Sequence, residues 1–179
     1  MKKELIEEYK EKALKMYKKA NIVLTRDEEK MVEVADFGLN DIENIGLEIV
    51  TYVNTNRCCA KELVLMPYQT CPEHVHPPIE GELGKEETFR VRYGTVYLVV
   101  DGKSVERLKA RIPQTGYQYF TVFNEIELTA GMQYTLAPNT KHWFQAGAEG
   151  AVVSEFSTRS RDELDIFTDI NIKRIPTVE

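Results

Sequence analysis

The sequence contains no apolar run approaching the ~20 residues of a membrane span, no clustered stripe of Lys and Arg, and only three cysteines and three histidines. Each absence excludes something. Without the apolar run there is no membrane-spanning helix to expect, and the opening "MKKELIEEYKEKALKMYKKA" is too acidic and too interrupted for a signal peptide. A formal net charge of -6 and a pI near 5.3 exclude sequence-independent binding to nucleic acid or to anionic membrane, because neutralising phosphates takes clustered cations. Cys58 and Cys59 are adjacent and Cys71 stands alone, an arrangement that suits neither a disulfide framework nor a zinc cluster. Reduced thiols and a cytoplasmic location follow as the expectation. Low-complexity segments and internal repeats are also missing.

What remains is the composition of a folded protein. At 179 residues, 42% hydrophobic against 29% charged, the chain can bury one good core. The expectation is a single domain over 1–179, with a helical extension over 1–45, a barrel over 46–157 and a wrapping segment over 158–179 that frays at its end. Leu5, Tyr9, Ala13, Met16, Tyr17 and Ala20 recur at helical spacing. Thr25 followed by Glu28 predicts a capped second helix ending before Gly38. After Gly46 the texture changes to short runs rich in Val, Ile, Thr, Tyr and Phe, divided by Gly, Pro, Asn and Asp. That pattern predicts a mainly β fold, an antiparallel barrel or sandwich. Lys103 to Gly116 reads as an irregular loop or a ragged hairpin.

The chemistry concentrates in "CPEHVHPPIEGELGKEETFRVRYG". His74 and His76 are two apart, which on an extended strand places both side chains on one face, as chelation requires. Glu87 follows a Pro- and Gly-containing loop long enough to turn back. It shares parity with Lys85, Phe89 and Val91, so an inward Glu87 implies an inward Lys85. The third histidine, His142, lies in another strand-turn-strand segment. Three neutral imidazoles and one carboxylate suit a divalent metal ion and would leave two positions of an octahedral ion open for substrate or water. Trp143, of opposite parity to His142, reads as packing. Arg90 and Arg92 have the opposite parity to Glu87 and are expected in cross-strand ion pairs.

His74, His76, Glu87 and Gly94 fit the first motif of the cupins, and Gly131, Pro138 and His142 represent the second. The gap from His76 to Glu87 is longer than in the usual pattern, Thr140 stands near its glycine, and Pro138 to His142 is shorter by one. A closer resemblance covers nearly the whole chain. "YVNTNRCCAKELVLMPYQTCPEHVHPPIEGELGKEETFRVRYGTVYLVV", "PNTKHWFQAGAEGAVVSEFST" and "DIFTD" are similar to the cupin-fold D-lyxose isomerases. The resemblance implies a cupin-type antiparallel β-barrel (jelly roll), a homodimer, and Mn²⁺ as cofactor, with Co²⁺, Fe²⁺, Ni²⁺ or Zn²⁺ as substitutes. It also implies a monosaccharide substrate, with D-lyxose converted to D-xylulose and D-mannose to D-fructose, and the metal ligands His74, His76, Glu87 and His142.

Such a reaction moves a proton between C1 and C2 through an enediol, and so needs a base for the carbons and an acid for the oxygens. Lys85 and Glu155 are the candidates. Glu155 stands in "AVVSEFST", where it alternates with polar Ser154 and so falls on the buried face. Glu155 as base with Lys85 as acid is favoured, and the reverse stays open. Asp165 and Phe167 are expected to close over the sugar. Three other readings compete: a phosphosugar isomerase, for which no cationic cluster is evident in the sequence, an Fe(II)-dependent cupin oxygenase, and a non-catalytic sugar-binding cupin.

Overall fold

The computed structural model describes residues 1–175; the expected fraying of 176–179 lies outside the described residues. Helix α1 (Lys3–Lys19) has Glu4 in its first turn and Lys18 and Lys19 in its last, which complements the helix dipole. Its Ala13, Met16 and Tyr17 pack on Val50, Val64 and Val152, the outer face of the sheet. The capping box of Thr25 and Glu28 forms as expected, but α2 (Arg26–Lys30) ends well before Gly38. The reason is the next segment, "MVEVA", whose alternating β-branched residues pair as strand β1 (Glu33–Ala35) instead of continuing the helix. The helical extension expected over 1–45 therefore contains a strand.

Eight further strands follow: β2 (Leu47–Asn54), β3 (Cys59–Leu65), β4 (Thr70–Val75), β5 (Glu87–Val100), β6 (Asn124–Thr129), β7 (Gln133–Leu136), β8 (His142–Ser157) and β9 (Ile166–Phe167). All pair antiparallel in one curled sheet of the cupin type. The segment from Lys103 to Gly116 carries no regular element, as expected.

The spine is the ladder between the two long strands, β5 and β8. The first half of β5 pairs with β7 and the end of β8; the second half pairs with β6 and the start of β8. Between the halves the register shifts twice, and both strands bend. Gly94 and Gly150 meet at the bend with φ of +73° and +75°. A Cβ built on Gly94 would stand 2.0 Å from the Gly150 carbonyl oxygen, so only glycine fits. The bend folds the inner faces of the halves onto one another, and Phe89, Val91, Leu98, Phe144 and Val153 form the core between them.

Among the described residues Arg90 and Arg92 make no ion pair. They donate to Gln133 Oε1 (3.1 Å) and Ser154 Oγ (3.4 Å). Ser154 is itself buried and donates to Glu62, so β8 is covered on both faces here. Trp143 is fully buried, its indole N–H donating to the Val122 carbonyl.

One outer-face carboxyl opposes folding. Glu48, beneath α1, is fully buried; Gln69 donates to its Oε1 at 3.3 Å and its Oε2 has no partner. Burial pushes its pKa up to about 8, against the opposing pull of Gln69 and Lys12. Folding thus favours the protonated acid, and the stability is fully present below about pH 4.5 and lost as pH rises toward 8. The linkage limit is on the order of 5 kcal/mol. Glu48→Gln is therefore expected to raise Tm at pH 8 and leave it nearly unchanged at pH 5. Gly94→Ala is expected to cost more than about 2 kcal/mol in denaturant titrations, combining a positive φ with the clash at the bend.

Candidate metal centre and active site

Glu87 opens β5 and His142 opens β8, and the two residues lie at opposite ends of the β5–β8 ladder, registered against Ser157 and Val100. Along a flat 14-residue strand those ends would be ~45 Å apart. After the bend, Glu87 Oε1 is 3.1 Å from His142 Nε2. His74 faces His142 across β4 and β8, and His76 follows β4 immediately. The three rings stand with centroids 4.3 to 5.4 Å apart, and their nitrogens lie within 4.8 Å of one another. All four residues are buried.

Each imidazole is oriented by an oxygen behind it. Nδ1 of His74 meets the Pro72 carbonyl at 2.8 Å, Nδ1 of His142 the Thr140 carbonyl at 3.0 Å, and Nδ1 of His76 the Asp165 carboxylate at 2.5 Å. These oxygens accept, so each Nδ1 carries a proton and each Nε2 faces the interior, as a lone pair on His74 and His142. His142 Nε2 is buried with no hydrogen-bond partner although Glu87 Oε1 is 3.1 Å away, as expected where two acceptors face one another. Glu87 Oε1 is also 3.1 Å from His76 Nε2. Donor atoms at that spacing match the edge of an octahedron with bonds of about 2.2 Å. A divalent cation therefore fits this donor set.

The charges agree. Burial and the neighbouring histidines hold His74 well below its ordinary pKa, so the ring is neutral. Glu87 is ionised: burial pushes it up, but Lys85 and His76 outweigh burial and hold it well below the carboxylate range. Burial lowers His76, yet Glu87 and Asp165 bring it up to about 9, so in the absence of a cation a proton sits between the ring and Glu87.

Lys85 has the inward orientation its parity predicts. Its Nζ is 2.8 Å from Glu87 Oε2 and 3.1 Å from Glu155 Oε1. Despite full burial, Glu155 and Glu87 hold it well above the usual lysine value, as an ammonium. Glu155 Oε1 also accepts from Ser157 Oγ at 3.1 Å, while Oε2 has no hydrogen-bond partner among the described residues. Phe167, on β9 opposite His74, lies 5.4 Å from that ring. Asp165 has one oxygen engaged by His76, so the structure gives it an orienting contact that the sequence did not suggest.

Sequence reasoning missed Lys61, Asp162 and Arg174, which line the same inner chamber. Lys61 was legible, since in "CAKELVL" it shares parity with buried Leu63 and Leu65. Asp162 and Arg174 carry no local signal. The inner chamber is about 40 Å³, and an outer cavity of about 440 Å³ leads to it, sharing His76, Lys85 and Asp165. The outer rim brings together Arg57, Arg159 and Arg161, a cationic group dispersed in the sequence; Arg161 is engaged by Glu82.

The family model for D-lyxose isomerase matches residues 6–179. The chain is 60% identical over 179 residues to a D-lyxose/D-mannose isomerase of Thermosediminibacter oceani, covering 100% of this chain and 99% of that one. It is 58% identical over 176 residues to a D-lyxose ketol-isomerase of Thermofilum sp. (98% of each chain), and 55% identical over 172 residues to one of Cohnella laeviribosi (96% and 94%). Among solved structures, an Acinetobacter L-ribose isomerase in complex with L-ribose superposes with a TM-score of 0.81 at 15% identity, covering 100% and 98%, a likeness of fold.

Removing the acceptor behind His76 frees its ring to turn. Asp165→Ala is expected to weaken divalent-ion binding ~10- to 100-fold, read by competition with a chromophoric chelator.

Proposed function

The chain belongs to the D-lyxose isomerase family and is an aldose-ketose isomerase, and from that premise we propose that it interconverts D-lyxose with D-xylulose, and D-mannose with D-fructose, in a metal-dependent reaction. The observation that carries the reading is the convergence of three Nε2 atoms and Glu87 Oε1 beside the Lys85–Glu155 pair. His74, His76, His142 and Glu87 would hold the ion, Mn²⁺ by preference, which supplies Lewis-acid stabilisation of negative charge on the sugar oxygens.

The remaining chemistry belongs to side chains. Glu155, through Oε2, which has no hydrogen-bond partner among the described residues, takes the proton from C2 of the aldose while Lys85 donates one to O1, giving the cis-enediol. Lys85 then recovers a proton from the C2 hydroxyl, and Glu155 returns its own to C1. Atoms and charges balance over the cycle. Lys85 enters the cycle as the ammonium, held in that form by Glu155 and Glu87. Asp165 and Phe167 stand at the chamber wall, where a sugar hydroxyl and an apolar ring face would meet them. We further read the chain as one domain acting as a cytoplasmic homodimer, with all three thiols free and, among the described residues, no helix long and apolar enough to cross a membrane.

Protein stripped with chelator and reloaded with Mn²⁺ is expected to form ketose from D-lyxose and D-mannose, with deuterium incorporated at the transferred carbon in D₂O. Glu155→Gln and Lys85→Met should each keep the metal and lose ~10²-fold or more in turnover. No ketose from either sugar with metal bound would overturn the free-sugar reading. Sugar phosphates, for which the rim arginines are suited, and oxygen uptake would then be assayed.

A further inference from the structure

The charges behind Glu155 run against the sheet's own geometry. Lys61 on β3 is registered directly opposite Glu155 on β8, and both are buried. Directly opposed residues stand ~5 Å apart at Cβ, so a Lys and a Glu placed there ordinarily pair. Here Lys61 Nζ is 3.9 Å from Glu155 Oε1 and turns instead to the C-terminal segment, 2.6 Å from Asp162 Oδ2 and 2.8 Å from Ser160 Oγ. Lys85, from the loop before β5, takes Glu155 Oε1 at 3.1 Å. Asp162 is itself held, by Ser160, by Arg174 at 3.4 Å and by Lys85 at 3.8 Å, and Arg174 is anchored on Glu33 of β1.

We propose that Asp162 is a positioning residue for the isomerisation: it draws the Lys61 ammonium toward itself, so that Lys61 stays 3.9 Å from Glu155 Oε1 while Lys85 holds the closer contact at 3.1 Å. The inference rests on Glu155 as the base. Asp162 and Glu155 are the carboxylates within 4 Å of Lys61 among the described residues. A buried ammonium that loses one partner has a strong drive toward the other. With Asp162 neutralised, Lys61 closes the remaining gap onto Glu155 and clamps it between two cations. An opposite charge in contact stabilises the ionised carboxylate and so weakens it as a base. Asp162 thus acts on the reaction through Lys61; an effect carried instead through Lys85, 3.8 Å from Asp162 Oδ1, would persist in the double variant.

The test compares Asp162→Asn, Lys61→Met and the double variant, all loaded with Mn²⁺, by bound metal and by kcat and KM on D-lyxose, with Glu155→Gln as reference. Asp162→Asn is expected to keep its metal, hold KM within ~3-fold and lose ~10-fold in kcat. Lys61→Met alone stays within ~3-fold of the parent, and the double variant recovers to the same range. A merely structural Asp162 would leave the double variant at least as impaired as Asp162→Asn, which would overturn the proposal, as would an unimpaired Asp162→Asn. A Lys61→Met variant as impaired as Asp162→Asn would assign Lys61 a direct role and also overturn it. Should Asp162→Asn fail to fold, Ser160→Ala, which removes the other acceptor of Lys61, is read the same way: a fall of ~3-fold in kcat that Lys61→Met reverses supports the proposal, and no fall or no reversal overturns it. Turnover surviving in Glu155→Gln would remove the base reading itself, an outcome separate from the behaviour of the Asp162 series.

Discussion

Gly94 and Gly150 touch at a point where no side chain fits, and the site depends on that contact. Their positive φ angles let β5 and β8 bend together. A ladder of this length left flat would hold Glu87 and His142 at its two extremities. Folded, it turns sequence-distant strand ends into neighbours and places them, buried, between two sheet halves. The hydrophobic core and the polar chamber are thus two products of one backbone constraint: inner-face residues near the bend pack on each other, and those at the strand ends form the buried polar cluster.

Burying so many charges is costly unless each is compensated. Lys61, Lys85 and Arg174 are interleaved with Glu87, Glu155, Asp162 and Glu33. Backbone carbonyls orient two of the histidines and a carboxylate the third, so two of the rings are aimed by groups that no substitution can remove. Glu48 shows what happens without such compensation, since its uncharged form is favoured up to about pH 8.

Much of this was legible because the strand period is local. A two-residue spacing was enough to place His74 beside His76 and Lys85 beside Glu87, and the same rule applied to "CAKELVL" exposes Lys61. The capping box of Thr25 and Glu28 was equally readable, yet the length of α2 was not, because β1 is stabilised by pairing with β2, a tertiary effect. Arg90 and Arg92 had the expected outward parity, but their partners depended on which residues β7 and β8 presented. Asp162 and Arg174 reach the chamber only through the path of the segment after β8, which has no periodicity to read. The resemblance to a known family supplied the sugar, which neither spacing nor burial specifies.

The residues from Ser160 to Arg174 complete the chamber, yet they come after every histidine and Glu87 in chain order. During synthesis the three imidazoles are therefore made before Asp165 can orient His76 and before Asp162 can engage Lys61. A nascent chain carries the three histidines and Glu87 before the groups that orient them are made. The buried cluster is thus completed only when nearly the whole polypeptide exists.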